Sequence, residues 1–125
     1  MAVAKKRRRI IIVNGIRYVW YVGEDDDLFL LHLNIISEKK DFIVSCPLKW
    51  HNRDNPIMPD HRYIIVKGRE FKGTSLPGPW RRYLVPEWDD ARITPSLVAA
   101  IISWCRTPGP VAEIDWRGRL LHQSL

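Results

Sequence analysis

The sequence predicts an α+β domain in which a mainly antiparallel sheet begins with a β-hairpin and carries one C-terminal helix. Three observations support this class. Apolar β-branched runs flank Asn14-Gly15, further alternating runs follow, and one helical pattern stands between Thr94 and Thr107. The chain has 125 residues, 46% of them hydrophobic and 27% charged, which is enough for one domain with its own core.

The hairpin is the clearest local signal. Asn-Gly tolerates the positive φ angles of a two-residue type I′ turn, so Val13 is expected to face Ile16 across it. Counting outward predicts that the more apolar face enters the core, with these members: Ile11, Val13, Ile16, Tyr18 and Trp20. Arg9 then stands opposite Trp20 at the rim of this face, where we expect its guanidinium to cover the indole ring.

Five further strands are predicted after the hairpin. The first, at 28–36, alternates inward-facing side chains with a partly polar second set, and the inward set is Phe29, Leu31, Leu33 and Ile35. The others are expected at 42–46, 63–71, 81–85 and 111–121. The strand at 81–85 is predicted to be a short edge strand, and the strand at 111–121 is predicted to join the same sheet.

The helix has clear start and stop signals. Thr94 can cap it, Pro95 suits the first helical position, and Thr107-Pro108-Gly109-Pro110 ends it, which predicts a helix at about 95–106. Its apolar face is broad and should pack on the sheet, with these members: Leu97, Val98, Ile101, Ile102, Trp104 and Cys105.

The basic charge is concentrated at the start of the chain. The formal net charge is +6, and five consecutive cations supply five of these charges: Lys5, Lys6, Arg7, Arg8 and Arg9. We therefore divide the chain into a basic N-terminal arm, residues 1–9, and a single nearly neutral domain, residues 10–125. Three prolines and two asparagines predict a long irregular loop at about 47–61 within that domain.

Several classes of protein are disfavoured by composition. No apolar run is long enough to cross a bilayer, and no secretory signal pattern follows the first basic residues, so we expect no membrane partner. Two cysteines, Cys46 and Cys105, are too few for a disulfide scaffold, which favours a reducing cytoplasm. Both stand among apolar neighbours, so we interpret them as inert packing residues.

No catalytic signature is present, and we predict neither a catalytic residue nor a cofactor nor a metal site. The nearest approach to a site is a set of four polar residues in the irregular loop: His51, Asp54, Asp60 and His61. Such a set could hold zinc or position a general base, but its spacing matches no metal motif, so we interpret these residues as solvated. His32 is likewise interpreted as a surface or hydrogen-bonded histidine.

Two short motifs carry a resemblance. Gly15, Tyr18 and Trp20 match a G-x-x-Y-x-W hairpin, and residues 93–98 match ITPSLV at the start of the helix. In these two motifs the chain resembles a group of small uncharacterised bacterial proteins. The resemblance covers the two ends of the chain and leaves 47–88 uncovered. It implies the hairpin-and-helix fold and implies no activity and no catalytic residue.

The function favoured by these observations is a non-enzymatic binding module that contacts nucleic acid or another polyanion. We expect the arm residues Lys5, Lys6, Arg7, Arg8 and Arg9 to meet phosphates without reading sequence. Loop tryptophans beside cations can stack on bases, so we add three residues to the predicted interface: Trp80, Arg81 and Arg82.

The alternative is a protein-interaction module, such as an accessory or immunity-like subunit, that uses the loop tryptophans and a sheet edge. Trp50, Trp80 and Trp88 are the tryptophans expected outside the core. An enzyme ranks third, and the sequence leaves the oligomeric state open.

Overall fold

The structure is a computed structural model of the chain. The structure describes residues 8–24, 30–56, 61–67, 70–72, 81–115 and 118–121. Within these residues, seven strands form one open antiparallel sheet and one α-helix packs on it, which agrees with the predicted α+β class.

The sheet is a meander in which each strand pairs with the next along the chain, from β1 at one edge to β7 at the other. Such a topology needs only short connections, because neighbouring strands in sequence are also neighbours in space. The strands are β1 Arg9–Val13, β2 Ile16–Glu24, β3 Leu31–Ser37, β4 Ile43–Pro47, β5 Tyr63–Val66, β6 Arg81–Leu84 and β7 Glu113–Ile114.

The β1–β2 hairpin has the predicted turn and register. Asn14 and Gly15 have φ angles of 51° and 79°, as a type I′ turn requires, and Val13 pairs with Ile16. Continuing outward, Arg9 pairs with Trp20. The face predicted to enter the core does so: Tyr18 and Trp20 are buried, and Ile11, Val13 and Ile16 pack against the core as partly buried residues.

Helix α1, Pro95–Arg106, covers that same face of the sheet. Thr94 caps it by accepting a hydrogen bond from the Leu97 N–H at 3.1 Å, and Pro95 occupies the first turn, as predicted. The buried helix residues are Leu97, Val98, Ile101, Ile102 and Cys105. They join a core formed by alternate residues of the strands, among them Leu33, Ile35, Val44, Cys46, Ile64, Val66 and Tyr83.

The other face, which we call the second face, carries the remaining alternate side chains, among them Ile10, Ile12, Arg17, Val19, Tyr21, His32, Asn34, Ile36, Ile43, Ser45, Pro47, Ile65 and Arg82. Exposure on this face increases toward β1. His32 and Pro47 are buried, Val19 and Ile36 are half-buried, and Ile10 and Ile12 are 55% and 68% exposed. The β1 side of the second face therefore presents apolar side chains to solvent.

The last strand is much shorter than the predicted 111–121. β7 contains two residues, after which the chain reverses: the Asp115 N–H bonds to the Arg119 carbonyl and the Leu121 N–H to the Glu113 carbonyl. Gly118, with φ of 87°, supplies the left-handed conformation that this reversal needs. The alternation of apolar and charged residues continued through the turn and so concealed it.

Two other strand predictions require correction. The strand at 81–85 was expected at a sheet edge, but β6 lies between β5 and β7. The strand at 63–71 ends at Val66, and Phe71 enters the core separately, with its ring centroid 4.7 Å from that of Tyr83. The strand predicted at 111–121 does join the sheet, but alternation along a strand does not give the order of strands, so the sequence did not reveal that β7 is the outer neighbour of β6.

Candidate nucleic-acid interface

Four of the eight predicted interface residues lie within the described part of the chain. Arg8 and Arg9 stand at the start of β1, and Arg81 and Arg82 begin β6. The other four, Lys5, Lys6, Arg7 and Trp80, lie outside the described residues.

Arg8 and Arg9 both lie over aromatic rings of β2. The Arg9 guanidinium carbon is 5.9 Å from the centroid of the Trp20 ring, which confirms the predicted stacking, and the Arg8 carbon is 5.1 Å from that of Tyr21. Both arginines remain exposed. Because a guanidinium stacked on a ring keeps its N–H groups at its edge, these two cations are held in place and still accessible to an anion.

Arg81 and Arg82 point to opposite faces of the sheet. Arg81 pairs with Val66 on the helix face, where its side chain is hydrogen-bonded to Tyr83. Arg82 is on the second face, between Ile65 of β5 and Ile114 of β7. Both arginines are half-buried. Their consecutive positions therefore place only Arg82 on the same face as Arg8.

The arm and β6 are separated by the width of the sheet. Four strands lie between β1 and β6, so at a strand spacing of about 4.8 Å the two sites are about 24 Å apart. One register row joins them across the second face, running through Tyr21, Asn34, Ser45, Ile65 and Arg82. An extended ligand that contacts both ends has to follow this row.

Charge differs between the two faces of the sheet. The two acidic residues within the seven strands, Glu24 and Glu113, occupy the register positions of the helix face. The charged strand residues of the second face are Arg17 and Arg82. Within the described strands, the second face is therefore the more suitable one for a polyanion.

The loop that follows β4 contains a short 3₁₀ turn, Trp50–Asn52, which is anchored by a buried asparagine. The Asn52 amide accepts a hydrogen bond from the Leu31 N–H and donates to the carbonyls of Leu31 and Leu48, at 2.7 to 2.9 Å. This role has no signal in the sequence, because an asparagine in a proline-rich segment is typical of a solvated turn.

A buried ion pair supports the same loop. The Arg62 guanidinium lies 3.0 Å from the Asp90 carboxylate, with side-chain exposures of 3% and 4%, and Asp90 also accepts the Trp50 N–H at 3.0 Å. Arg62 further donates to the Trp88 carbonyl. These contacts join the loop to the segment before α1. No local pattern in the sequence could have paired residues 28 positions apart.

Glu87 extends this network to the surface. Burial acts to raise the pKa of its carboxyl, but hydrogen bonds from Lys49 and the Arg62 N–H, together with the charges of Lys49 and Arg62, outweigh burial and lower it. Glu87 therefore stays ionised and links Lys49 to the buried pair, with its carboxylate 3.2 Å from the Lys49 ammonium.

The exposed side of this loop forms an open cleft of about 420 Å³. Trp50 is 51% exposed in it, and the Arg53 guanidinium carbon lies 4.4 Å from the centroid of its ring. The other cleft residues are mainly polar: Glu24, Leu31, His51, Asn52, Asp54 and Asn55. With two carboxylates in its lining, the cleft is a poorer phosphate site than Arg8 and Arg9.

The candidate metal residues are only partly brought together. His51 and Asp54 share the cleft, His61 is exposed after the loop, and Asp60 lies outside the described residues. Across the described ranges, no group of three or more His, Cys, Asp or Glu side chains is arranged to hold a metal ion. His32 is buried, and its Nδ1 lies 2.8 Å from the Ser45 hydroxyl, so of the two interpretations the hydrogen-bonded one is confirmed.

Both cysteines are buried free thiols in the core. Burial raises the pKa of Cys46 to about 12, although the charge of Arg62 opposes this, and burial also raises the pKa of Cys105 well above its ordinary value. Because the thiolate is the reactive form, both side chains are chemically quiet at neutral pH.

Trp88 and Trp104 differ from their predicted environments. Trp88, expected as a loop residue outside the core, is half-buried and packs edge-to-face on Trp104 with ring centroids 6.0 Å apart. Trp104 is half-buried rather than buried, and the Lys72 ammonium lies 3.5 Å from its ring centroid. Trp50 is thus the predicted loop tryptophan whose ring is available to a partner in the described part of the chain.

Within the described residues, no helix is both long and apolar enough to cross a membrane. Comparison of the chain with protein families, with curated proteins and with solved structures found no match.

Proposed function

We propose that the protein is a non-enzymatic binding module that contacts nucleic acid, or a similar polyanion, through its basic N-terminal arm. One observation carries this proposal. Five consecutive cations lead into β1, and the last two, Arg8 and Arg9, are exposed and ordered on the rings of Tyr21 and Trp20. Like charges in a row repel one another, and an anionic partner relieves that repulsion.

The contacts expected from this geometry are to phosphates. Arg8 and Arg9 present guanidinium N–H groups at the edge of the sheet, and the remaining arm cations precede them in sequence. Contacts of this kind position a protein on nucleic acid without reading bases, so binding is expected to be nearly independent of sequence. Affinity should then depend strongly on salt, because each neutralised phosphate releases condensed counterions.

The test is binding to a fluorescent duplex and to a single strand as a function of salt. With up to five phosphates neutralised, the logarithm of affinity should fall against the logarithm of salt with a slope of roughly −3 to −4.5 on duplex and somewhat less on single strands. Replacing Lys5, Lys6 and Arg7 by alanine should lower the magnitude of that slope by about 2 to 3.

A matched control removes the same charge elsewhere. Lys39, Lys67 and Arg92 are exposed cations outside the arm, and their triple alanine variant should keep most of the wild-type slope. If the wild-type protein shows no salt-dependent binding, or if both triple variants lose the slope equally, the proposal is wrong.

A protein-binding module is the second candidate, and the cleft favours it. Trp50 is half exposed beside Arg53, and tryptophan and arginine are enriched among the interface residues that contribute most to protein binding. A pulldown from native lysate with and without nuclease separates the two functions. Retention of one stoichiometric protein after nuclease treatment supports the second candidate, and loss of all material supports the first.

We further propose that the protein works in a bacterial cytoplasm. The resemblance in the hairpin and the ITPSLV segment supports the bacterial assignment. The two core cysteines are free thiols, which suits a reducing compartment.

A further inference from the structure

Within the described part of the chain, β1 is an edge strand without the usual protection. It stands at one end of the sheet order, its five residues pair with β2 without a bulge, and it contains no proline. Its one charged residue, Arg9, is at its first position. Ile10 and Ile12 are 55% and 68% exposed. Edge strands with exposed aliphatic side chains and unpaired backbone are templates for a further strand, and natural proteins normally block or occupy them.

The register shows which backbone groups of β1 face outward. In a two-residue hairpin the residues flanking the turn, Val13 and Ile16, exchange hydrogen bonds, and the pairs then alternate. Ile12 therefore belongs to a pair without hydrogen bonds. Consistent with this, its partner Arg17 directs its carbonyl toward β3, where it accepts the Glu38 N–H at 2.9 Å. The N–H and C=O groups of Ile10 and Ile12 consequently point away from β2.

We propose that this edge is occupied by the β1 strand of a second copy of the chain, paired antiparallel about Ile11. In that register Ile10 stands opposite the partner's Ile12, and Ile12 opposite the partner's Ile10. These are the residues whose backbone groups face outward, so the two strands exchange four hydrogen bonds. The four isoleucine side chains meet on the second face, which buries the most exposed apolar residues of β1.

Charge also favours a second copy in this orientation. Arg9 stands opposite the partner's Val13, so no cation faces a cation within the paired strands. The two basic arms leave the new sheet at opposite ends. A parallel pairing would instead place the arms side by side, where ten cations repel one another.

The aliphatic row on the second face continues through the contact. Ile10, Val19, Ile36 and Ile43 are consecutive register partners across β1 to β4. In the dimer this row adjoins its symmetry copy through the paired β1 strands. The contact is self-complementary, as a twofold interface must be.

The first test is sedimentation equilibrium of the nuclease-treated protein over about 5 to 200 µM, with salt near 0.5 M to screen repulsion between the basic copies. The wild-type protein should reach twice the monomer mass. Ile12→Lys should be monomeric, because two lysines would meet the partner's isoleucines. Ile12→Pro should also be monomeric, because it removes an N–H that pairs with the partner strand, and still folded, because that N–H faces away from β2.

The matched control is Leu121→Lys. Leu121 is 50% exposed and lies beside β7 at the opposite edge of the sheet, so the same aliphatic-to-lysine change there should leave the dimer intact. A dimer that survives both Ile12 substitutions but is lost in Leu121→Lys would place the interface at the other edge and overturn the proposal.

The second test fixes the register. Ile11 faces its own copy across a pair without hydrogen bonds, where the Cα atoms are about 4.5 Å apart, within the range of a disulfide. Mild oxidation of Ile11→Cys should therefore give a covalent dimer. Ile10→Cys should not, since the two residues at position 10 are diagonal neighbours about 7 to 8 Å apart, too far for the Cβ separation of about 3.5 to 4.5 Å that a disulfide needs. The native cysteines are buried and should not compete.

These measurements are independent of nucleic-acid binding. A monomer at every protein and salt concentration, with no cross-link in Ile11→Cys, would overturn the dimer and leave the arm proposal standing. Conversely, a dimer whose arm shows no salt-dependent binding would support the edge pairing alone.

Discussion

Arg106, in the last turn of α1, donates a hydrogen bond from its Nε to the hydroxyl of Tyr18 in β2. Its guanidinium also lies 2.7 Å from the Glu70 carboxylate and stacks against the ring of Phe42, with 5.1 Å between the guanidinium carbon and the ring centroid. Tyr18 is fully buried, so its hydroxyl depends on this partner. One side chain thus joins the end of the helix to β2 and to Phe42, the residue before β4.

Arg106→Ala should lower the free energy of unfolding by about 2 to 3 kcal/mol, because it leaves the Tyr18 hydroxyl buried without that donor and removes the ion pair. Arg92→Ala, at an exposed arginine, should cost under about 0.5 kcal/mol. Urea denaturation measures both. In a double-mutant cycle with Tyr18→Phe, the coupling should be at least about 1 kcal/mol, and additive effects would show that the hydrogen bond contributes nothing.

The hairpin faces predict a large contrast between two of its residues. Trp20 is 5% exposed, so Trp20→Ala should lower the free energy of unfolding by about 3 to 5 kcal/mol. Arg17 is exposed, so Arg17→Ala should lower it by under about 0.5 kcal/mol. The denaturation midpoints of the two variants give the comparison. Equal shifts would mean that the inward face has been assigned wrongly.

Stability should fall in alkali. The pKa of Cys46 is raised to about 12 by burial from an ordinary 9.0, and burial also raises the pKa values of Cys105, Tyr18 and Tyr83. Below pH 9 the Cys46 thiol is protonated in both states. Between pH 9 and 12 the unfolded chain releases the proton and the folded chain retains it, so rising pH favours unfolding.

Urea midpoints measured from neutral pH into alkali test this expectation. Cys46→Ala should be less stable than the wild-type protein at pH 7. Above pH 9 its free energy of unfolding should fall less steeply with pH, and the two slopes should differ by up to about 1.4 kcal/mol per pH unit. Val44→Ala also removes volume from the β4 core without removing a thiol, and it should keep the wild-type slope. Parallel curves for the two variants would contradict the role of Cys46.

The opposite faces of Arg81 and Arg82 predict unequal roles in nucleic-acid binding. Arg82 shares the second face with Arg8, so Arg82→Ala should lower the salt slope on a long single strand by about 0.7. Arg81→Ala should leave the slope unchanged, because Arg81 lies on the helix face beside Tyr83. Melting temperatures confirm that both variants are folded. If neither changes the slope, the contact is confined to the arm.

The loop histidines should bind no structural metal. His51 and Asp54 share an open cleft, and His61 is exposed beyond it. We expect no stoichiometric zinc in the purified protein and no change of melting temperature with chelator. One tightly bound zinc per chain, lost in His51→Ala or His61→Ala, would reverse this interpretation and favour an enzyme.

The sequence by itself determined the elements whose information is local. Asn14-Gly15 specifies one turn type, that turn fixes the register of the hairpin, and the register is enough to place Arg9 opposite Trp20. The start of α1 was equally local, because Thr94 and Pro95 act within one turn of the helix. The concentration of charge in the arm is read directly from the positions of Lys5 to Arg9.

Tertiary structure decided whatever depends on partners distant in the chain. Arg81 and Arg82 look equivalent in sequence, but alternation along β6 places them on opposite faces of the sheet. Only the pairing of β6 with β5 and β7 decides which residues lie beside each arginine. Arg62, Asp90 and Asn52 look like solvated loop residues. They are buried because strands and loops separated by tens of residues converge on them, and such long-range contacts leave no periodic pattern in the chain.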